Sequence, residues 1–315
     1  MPRYLVTGCA GFIGSTLSER LLADGADVVG VDAFTDYYER ELKEANLAGP
    51  KAHRSFEFIE HDLGNGVPED ALYGLDGIFH LAARPGVRAS WGVGFRGYAN
   101  DNMLATQAIV EAAAERGLRV VFASSSSIYG DALAYPTDED VRPAPISPYG
   151  VTKLACEHLI RAYERNAGLD FVSLRYFTVY GPRQRPDMAF TRIVKALLSG
   201  ETFSVFGDGS QSRDFTFVED AVAATCGAMD KAPAGTTYNV GGGSEAALRD
   251  VIATVEELSG RSLNVTYTDP AAGDVRRTLA DTTRIRSEIG WEPRFDLRAG
   301  LSAQLEAATA GNRSS

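Results

Sequence analysis

The residues best suited to catalysis are Tyr149 and Lys153, which stand four positions apart in the sequence. At that spacing two side chains share one face of a helix, one turn from each other. An ammonium group beside a phenol favours the phenolate form, so we expect Lys153 to lower the pKa of Tyr149. The phenol would then act as a base near neutral pH. The alternative is an ordinary pair on an exposed helix, because this spacing alone is a weak signal.

A run of four serines, from Ser124 to Ser127, lies upstream of this pair. It follows the apolar residues 120–123, which we predict to form a buried strand. Ligands of open α/β sheets bind at the carboxyl ends of the strands. The serine hydroxyl groups are therefore expected at the ligand-binding edge of a sheet.

The first 32 residues have the pattern of a dinucleotide-binding unit. A short apolar strand leads into Gly8, Gly11 and Gly14, then into an amphipathic helix and a second strand that ends at Asp32. The glycines let backbone N–H groups approach a pyrophosphate at the helix N-terminus. Asp32 would accept hydrogen bonds from the adenosine ribose and repel a 2′-phosphate, and Ala33 offers no compensating charge. The pattern therefore predicts NAD rather than NADP.

Later segments are predicted to border the same cofactor. Asp62 would accept a hydrogen bond from the adenine amino group, or else cap a helix. Small residues after the apolar residues 77–81 would let the backbone approach the cofactor, whereas His80 fits a hydrogen-bonded core position better than a catalytic one. The predicted cofactor contacts are Gly8, Gly11, Phe12, Ile13, Gly14, Asp32, Asp62, Leu63, Leu81, Ala82, Ala83, Tyr149, Lys153 and Tyr176.

The order of predicted elements indicates the fold. Six strands alternate with helices as far as Tyr176, which predicts an α/β protein with a doubly wound parallel sheet of the Rossmann type. Short strands, loops and further helices then predict a smaller C-terminal α/β lobe. We expect residues 1–177 to form the NAD-binding domain, with residues from about 214 to 242 returning to it, and residues 178–310 to form mainly the substrate-binding lobe.

Composition limits the class of partner. Hydrophobic residues make up 44% and charged residues 23% of the 315, as in ordinary soluble proteins. The net charge of -11 argues against nonspecific nucleic-acid binding and against docking on anionic membranes. Three scattered cysteines indicate a reducing compartment, and four histidines without metal-ligand spacing predict no metal. With no signal or membrane-spanning pattern read, we expect a cytoplasmic protein.

Taken together, these motifs resemble the extended short-chain dehydrogenases/reductases, and among them the nucleotide-sugar 4-epimerases. The resemblance spans nearly the whole chain and is carried by residues 7–14, 80–83, 124–127, 175–177 and 213–215 together with Tyr149 and Lys153. It implies a tightly held NAD, reduced and reoxidised within one turnover through a transient 4-keto sugar. Tyr149 would take the proton of the sugar 4-hydroxyl, Lys153 would bind the nicotinamide ribose, and Ser125 would be the catalytic hydroxyl.

The residues beside Ser125 separate the related activities. The similar 4,6-dehydratases have Asp and Glu at the next two positions, and the UDP-glucuronate decarboxylases keep the Glu. Here these positions are Ser126 and Ser127, so neither activity is supported.

The segment from Thr178 to Ala189 resembles the UDP-glucuronate 4-epimerases, whose Arg-Pro-Asp-Met-Ala string begins here at Arg185. A sugar carboxylate needs hydrogen-bond donors, and Arg185 can grip it with two parallel bonds. Thr178 and the serine run would add hydroxyls. These groups would also restrain the carboxylate of the 4-keto intermediate, a β-keto acid prone to lose CO2. The alternative for Arg185 is a solvated loop cation or a contact to the diphosphate.

The remaining substrate contacts are expected around a UDP group. Arg213 and Arg276 would bind the diphosphate, Val205 and Phe206 would pack on the uracil, and Gln211 would reach the ribose. Arg88 would line the sugar pocket or else cap a helix. The predicted substrate-binding residues are Arg88, Ser125, Ser126, Ser127, Tyr149, Thr178, Arg185, Ala189, Val205, Phe206, Gln211, Arg213 and Arg276.

The sequence therefore predicts inversion of C4 of UDP-glucuronate. The alternatives are a UDP-glucose or UDP-N-acetylglucosamine 4-epimerase, then a decarboxylase, then a nucleotide sensor without catalysis. Family resemblance also implies a homodimer formed through the helices near residues 98–116 and 148–166.

Overall fold

Strands and helices alternate regularly through the first half of the chain and less regularly afterwards. The computed structural model describes residues 1–269, 273 and 275–313, with side chains as far as residue 310. Its strands are β1 (Arg3–Thr7), β2 (Asp27–Asp32), β3 (Phe56–Glu60), β4 (Gly77–His80), β5 (Arg119–Ser125), β6 (Phe171–Tyr176), β7 (Thr178–Tyr180), β8 (Thr202–Phe206), β9 (Ser212–Phe217), β10 (Thr236–Val240), β11 (Ser244–Ala247) and β12 (Asn264–Thr268). Its α-helices are α1 (Phe12–Ala23), α2 (Arg40–Asn46), α3 (Ala48–Lys51), α4 (Phe95–Tyr98), α5 (Ala105–Arg116), α6 (Pro148–Ala167), α7 (Ala189–Ser199), α8 (Val218–Lys231), α9 (Leu248–Ser259), α10 (Thr283–Ile289) and α11 (Leu297–Arg313).

The main sheet contains seven strands in the spatial order β3, β2, β1, β4, β5, β6, β10, each parallel to its neighbours. The direction of winding reverses between β1 and β4, which confirms the predicted doubly wound α/β fold. Strand β10 joins the edge late in the chain, with Thr236 paired to Val172 and Val240 paired to Tyr176. Ligands of such sheets bind at the carboxyl ends of the strands, where the winding reverses.

Alternate residues of the central strands point into two apolar layers. Leu5 packs with Ile109 of α5 and Ile160 of α6 on one face of the sheet. Val6 packs with Leu17 of α1 on the other face, where α8 also contributes. Both strand residues are fully buried, as expected for parallel strands covered by helices on both sides.

Chain segments beyond residue 177 form two small sheets around an aromatic cluster. Strand β9 lies between β7 and β11, parallel to β7 and antiparallel to β11, while β8 and β12 form a separate parallel pair. The ring of Tyr180 packs edge-on against Phe190 of α7 and Phe217 of β9, with centroids 5.2 and 5.6 Å apart. This packing fixes α7 and the loop before it beside the main sheet.

Helix α6 has strong start and stop signals. The Ser147 side chain accepts a hydrogen bond from the Gly150 amide at the N-cap, and Pro148 occupies the first turn. At the other end Gly168 adopts a left-handed conformation with φ of 68°. Tyr149 therefore lies in the first turn of the helix and Lys153 in the next.

The predicted continuous helix over residues 98–116 is interrupted. Residues Ala99–Leu104 form a π-helical segment between α4 and α5. Within it the Asn102 side chain accepts a hydrogen bond from the Arg84 amide and donates one to the Thr152 hydroxyl of α6. These tertiary contacts pin the segment against α6, and π-helical turns of this kind often occur at functional sites.

Across the described ranges, no helix combines the length and the apolar character needed to span a membrane.

Candidate active site

Two adjoining cavities open at the carboxyl edge of the main sheet. The first is lined by the glycine-rich turn after β1, the ends of β2, β4 and β5, and the first turn of α6. The second lies between residues 86–89, the loop before α7, α7 itself and β8. Tyr37, Gly86, Val87, Arg185 and Met188 border both cavities, so the two are parts of one cleft.

The glycine-rich turn is shaped to receive a phosphate group. Gly8 has φ of +71°, and a Cβ placed on it would lie 2.9 Å from the backbone of Ala82. A Cβ on Gly14 would overlap the carbonyl of Gly8. The first turn of α1 contains no acidic residue, so its backbone N–H groups face the cavity without a competing carboxylate. The turn therefore fits the pyrophosphate of a dinucleotide.

Asp32 closes the end of β2 and lines the first cavity. Its carboxylate accepts hydrogen bonds from the amides of Ala10 and Phe34, at 3.1 and 2.9 Å. Burial raises the pKa of Asp32, while these amides and the Lys43 ammonium lower it. Lys43 was missed in the sequence because it lies on α2, and it also lines the cavity. Lys43 Nζ donates to the carbonyl of Thr35 at 2.5 Å, in the segment that follows Asp32.

The structure brings every predicted cofactor residue to the first cavity. Asp62 borders the cavity, and its side chain accepts a hydrogen bond from the Gly64 amide at 2.9 Å, which is the capping role offered as the alternative. Its hydrogen bond to adenine stays a prediction. Tyr176 reaches the cavity from the end of β6, and its hydroxyl lies 2.6 Å from that of Thr225.

His80 is a buried structural residue, as its position on β4 predicted. Its two ring nitrogens lie 2.8 and 3.0 Å from the hydroxyls of Thr7 and Thr106. Burial lowers the pKa of His80 to about 3, so the ring is neutral at physiological pH. Thr7 in turn accepts hydrogen bonds from the amides of Leu81 and Ala82, and this holds the ends of β1 and β4 together beside the glycine-rich turn.

Tyr149 and Ser125 form a hydrogen-bonded pair at the junction of α6 and β5. Enclosure of the phenol raises the pKa of Tyr149, and the strongest opposing influences are this hydrogen bond and the charge of Arg185. We expected Lys153 to lower the pKa of Tyr149. This expectation is wrong, because enclosure of the phenol raises that pKa. Lys153 Nζ instead donates to the carbonyl of Ala123 at 2.7 Å. Burial lowers the pKa of Lys153 to about 8.

The predicted sugar-binding groups gather around this pair. Ser126, Ser127, Thr178 and Arg185 all line the first cavity with Ser125 and Tyr149. Ser125 Oγ also accepts a hydrogen bond from the Ser127 amide at 3.2 Å, which fixes the turn after β5. Hydroxyl groups and one guanidinium thus share this cavity with the phenol of Tyr149.

Four other predicted substrate-binding residues, Arg88, Ala189, Phe206 and Gln211, line the second cavity. Arg88 was predicted to line the sugar pocket, but it does not border the cavity that contains Tyr149. Its guanidinium lies 4.2 Å from the centroid of the Phe206 ring.

The roles of Val205, Arg213 and Arg276 in binding the nucleotide stay predictions. Val205 is 1% exposed and packs in the core. Neither Arg213 nor Arg276 lines either described cavity, and Arg213 donates instead to the carbonyl of Ser212 at 2.8 Å. Two other cations on α7, Arg192 and Lys195, line the second cavity. The sequence signal that could have indicated these two cations is their spacing of three residues on the polar face of the amphipathic helix α7.

The sequence and the structure are both similar to those of known proteins. Residues 4–241 match the family model described as the NAD dependent epimerase/dehydratase family. The chain belongs to this family. A Bacillus subtilis protein described as the uncharacterized UDP-glucose epimerase YtcB is 42% identical over 306 residues, which make up 96% of each chain.

Solved structures of family members are also similar. UDP-glucuronic acid 4-epimerase from Bacillus cereus, crystallised with UDP-glucuronic acid and NAD, matches with a TM-score of 0.95 and 39% identity over 98% of this chain and 99% of that one. MoeE5, crystallised with NAD and either UDP-glucuronic acid or UDP-glucose, matches with TM-scores of 0.88 and 0.89 and 40% identity over 99% of this chain and 100% of that one. The predicted family, NAD cofactor and class of enzyme, an NAD-dependent nucleotide-sugar 4-epimerase, are confirmed.

Proposed function

We propose that the protein inverts C4 of UDP-glucuronate to give UDP-galacturonate, without loss of CO2. The observation that supports this best is the gathering of Arg185, Thr178 and the hydroxyls of Ser126 and Ser127 in the cavity of Tyr149. A carboxylate on the sugar would find an arginine fork and several hydroxyl donors there. Positions 126 and 127 contain no acid that could catalyse dehydration.

The chain's own residues supply the proton chemistry. Tyr149 would accept the proton of the sugar 4-hydroxyl, and Ser125, already hydrogen-bonded to the phenol, would hold the reacting oxygen. The nearby charge of Arg185 favours the phenolate. Lys153, one helical turn away, would bind the nicotinamide ribose. Bound NAD would supply the reversible acceptance of hydride, and the residues around the glycine-rich turn, Asp32 and Asp62 would hold it.

Retention of CO2 requires control of the carboxylate. In the 4-keto intermediate this group is β to a carbonyl, and it is lost when the bond to C5 aligns with the carbonyl π system. Arg185 and the surrounding hydroxyls would hold the carboxylate out of that alignment. We propose this restraint as the reason why an arginine and serines stand together here.

The second cavity would hold the nucleotide. Arg192 and Lys195 would offset the diphosphate charge, and the Phe206 ring with the Arg88 guanidinium beside it would pack on the uracil. A local group of cations explains how a protein with a net charge of -11 would bind an anionic ligand.

UDP-glucose is the second candidate substrate. The similarity to YtcB, described as a UDP-glucose epimerase, and to MoeE5, crystallised with UDP-glucose, favours it. A sensor without catalysis is disfavoured, because Ser125 and Tyr149 are present and hydrogen-bonded.

We also propose that two copies of the chain form a dimer through the region of α5 and α6.

A proton NMR time course with UDP-glucuronate and no added NAD tests the proposal. We expect signals of UDP-galacturonate to grow to a stable mixture, with no pentose signals, and the Tyr149→Phe variant to bind UDP-glucuronate but lose turnover. Pentose signals from the wild type would assign a decarboxylase. Turnover of UDP-glucose alone would assign the second candidate.

A further inference from the structure

Arg185 is held by another residue of its own loop. Its Nε and Nη2 atoms each lie 3.0 Å from an oxygen of the Asp187 carboxylate, Oδ1 and Oδ2 respectively. This is the fork geometry in which a guanidinium and a carboxylate fit best. The Arg185 side chain is 17% exposed and that of Asp187 is 44% exposed. Asp187 therefore takes one edge of the guanidinium, while the Nη1 edge is left for other acceptors.

A second residue supports this pair from a distant part of the chain. Tyr37 lies in the loop between β2 and α2, and its hydroxyl lies 3.4 Å from Asp187 Oδ2. The Arg185 guanidinium lies 5.7 Å from the centroid of the Tyr37 ring. The hydroxyl of Tyr37 is also hydrogen-bonded to that of Tyr98, which lies 2.7 Å from the carbonyl oxygen of Pro85. The support for Arg185 thus extends to the wall shared by the two cavities.

We propose that Asp187 and Tyr37 are positioning residues, which hold Arg185 so that its unpaired edge receives the carboxylate of the sugar and keeps it in the orientation that prevents decarboxylation. The inference rests on the proposed function. It names two residues whose role is exerted through Arg185. It also assigns a role to the acidic residue of the Arg-Pro-Asp-Met-Ala string.

The physical reason is the entropy of a long side chain. An arginine that is free to rotate can follow a substrate carboxylate as that group turns, and it then restrains nothing. A guanidinium fixed by two parallel hydrogen bonds offers its remaining N–H groups in one direction only. If Arg185 is released, the C5–C6 bond of the 4-keto intermediate can align with the π system of the C4 carbonyl. That bond then breaks and CO2 leaves. The electron pair passes into the carbonyl as an enolate, which is protonated at C5.

Asp187→Ala is the decisive variant. We expect KM for UDP-glucuronate to rise about tenfold, a loss of about 1.4 kcal/mol in binding, and a pentose product to appear beside UDP-galacturonate. KM for UDP-glucose, if it is turned over, should change little. Asp187→Glu should restore part of the effect because it returns the carboxylate, and Tyr37→Phe, which keeps the ring but loses the hydroxyl, should give a smaller effect in the same direction.

Glu257→Ala provides the matched control. Glu257 also accepts two parallel hydrogen bonds from an arginine, here from Nη1 and Nη2 of Arg298, each at 2.9 Å, on the exposed surface. It should change neither KM nor product. An unchanged KM together with pentose-free product in Asp187→Ala would overturn the inference.

A binding measurement separates this inference from the proposed function. In the Tyr149→Phe background, the ratio of the Kd values of UDP and UDP-glucuronate is measured by calorimetry with and without Asp187→Ala. We expect Asp187→Ala to weaken UDP-glucuronate binding about tenfold and to leave UDP unchanged. Equal weakening of both ligands would overturn the positioning role. Absence of wild-type turnover of UDP-glucuronate would instead count against the proposed function alone.

Discussion

At the scale of single residues, the candidate proton chemistry depends on how Ser125 and Tyr149 come to lie in the same cavity. Ser125 ends a strand and Tyr149 begins a helix, and the parallel sheet brings those two ends to one edge. Their pairing therefore followed from element order alone. The pKa of Tyr149 could not be predicted from element order. It depends on burial and on the charge of Arg185, which lies in a loop from another part of the fold. Charges that approach through tertiary packing leave no local sequence signal.

His80 allows a residue-scale test of burial. Its folded-state pKa is lowered to about 3, whereas an unfolded histidine titrates near 6.5. The unfolded chain therefore binds the extra proton first, so the contribution of His80 is present above pH 6.5 and is lost as the pH falls towards 3. Between pH 7 and pH 5 we expect wild type to lose about 2 kcal/mol more stability than His80→Gln. Urea unfolding of both proteins at the two pH values measures this, and equal losses would contradict it.

At the scale of elements, the predicted bounds of most strands and helices lie close to those observed. The apolar residues 120–123, for example, were predicted to form a buried strand and lie in β5, observed at Arg119–Ser125. The prediction was less accurate at residues 98–116, where hydrogen bonds of Asn102 to Arg84 and Thr152 stabilise a π-helical segment. Periodicity reports the buried face of a helix, but it does not report a side chain that bonds to a distant loop.

Helix α6 is attached to the sheet by a buried ion pair. Glu157, one turn after Lys153, accepts hydrogen bonds from Arg175 of β6 at 3.0 and 2.8 Å, and from the Ser124 hydroxyl. The two side chains are 10% and 8% exposed. Removal of one partner would leave an uncompensated buried charge next to the serine run. This contact fixes the distance between the helix that contains Tyr149 and the strand that leads to Ser125.

We therefore expect Glu157→Ala to destabilise the protein by about 3–5 kcal/mol. Glu257→Ala, at an exposed and solvent-screened pair, should change stability far less than Glu157→Ala. Chemical denaturation of the two variants measures the difference. Similar losses in both would show that the buried pair does not hold α6.

At the scale of the whole molecule, the cleft is assembled from segments far apart in the chain. Tyr37 and Asp187 are separated by 150 positions, and Tyr129 and Asn239, hydrogen-bonded in the core, by 110. The family resemblance correctly indicated the fold, the cofactor and the class of enzyme. It did not indicate Lys43, Arg192 or Lys195, because helical spacing marks the polar face of a helix but does not record which cavity wall that face joins.

The helices beside the cleft lead to a prediction about assembly. Leu104, at the end of the π-helical segment, is 53% exposed, and Val151, in α6, is 48% exposed. Exposed aliphatic side chains on two neighbouring helices would be buried if a second copy packed its own pair of helices against them. Because a two-fold interface uses the same patch twice, one charged substitution places two like charges in it.

We expect wild type to sediment as a dimer, and the double variant with Leu104→Glu and Val151→Glu to sediment as a monomer. Val93→Glu, at a side chain that is fully exposed elsewhere, should remain a dimer. A monomeric wild type, or a double variant that stays dimeric, would show that this face is not the interface.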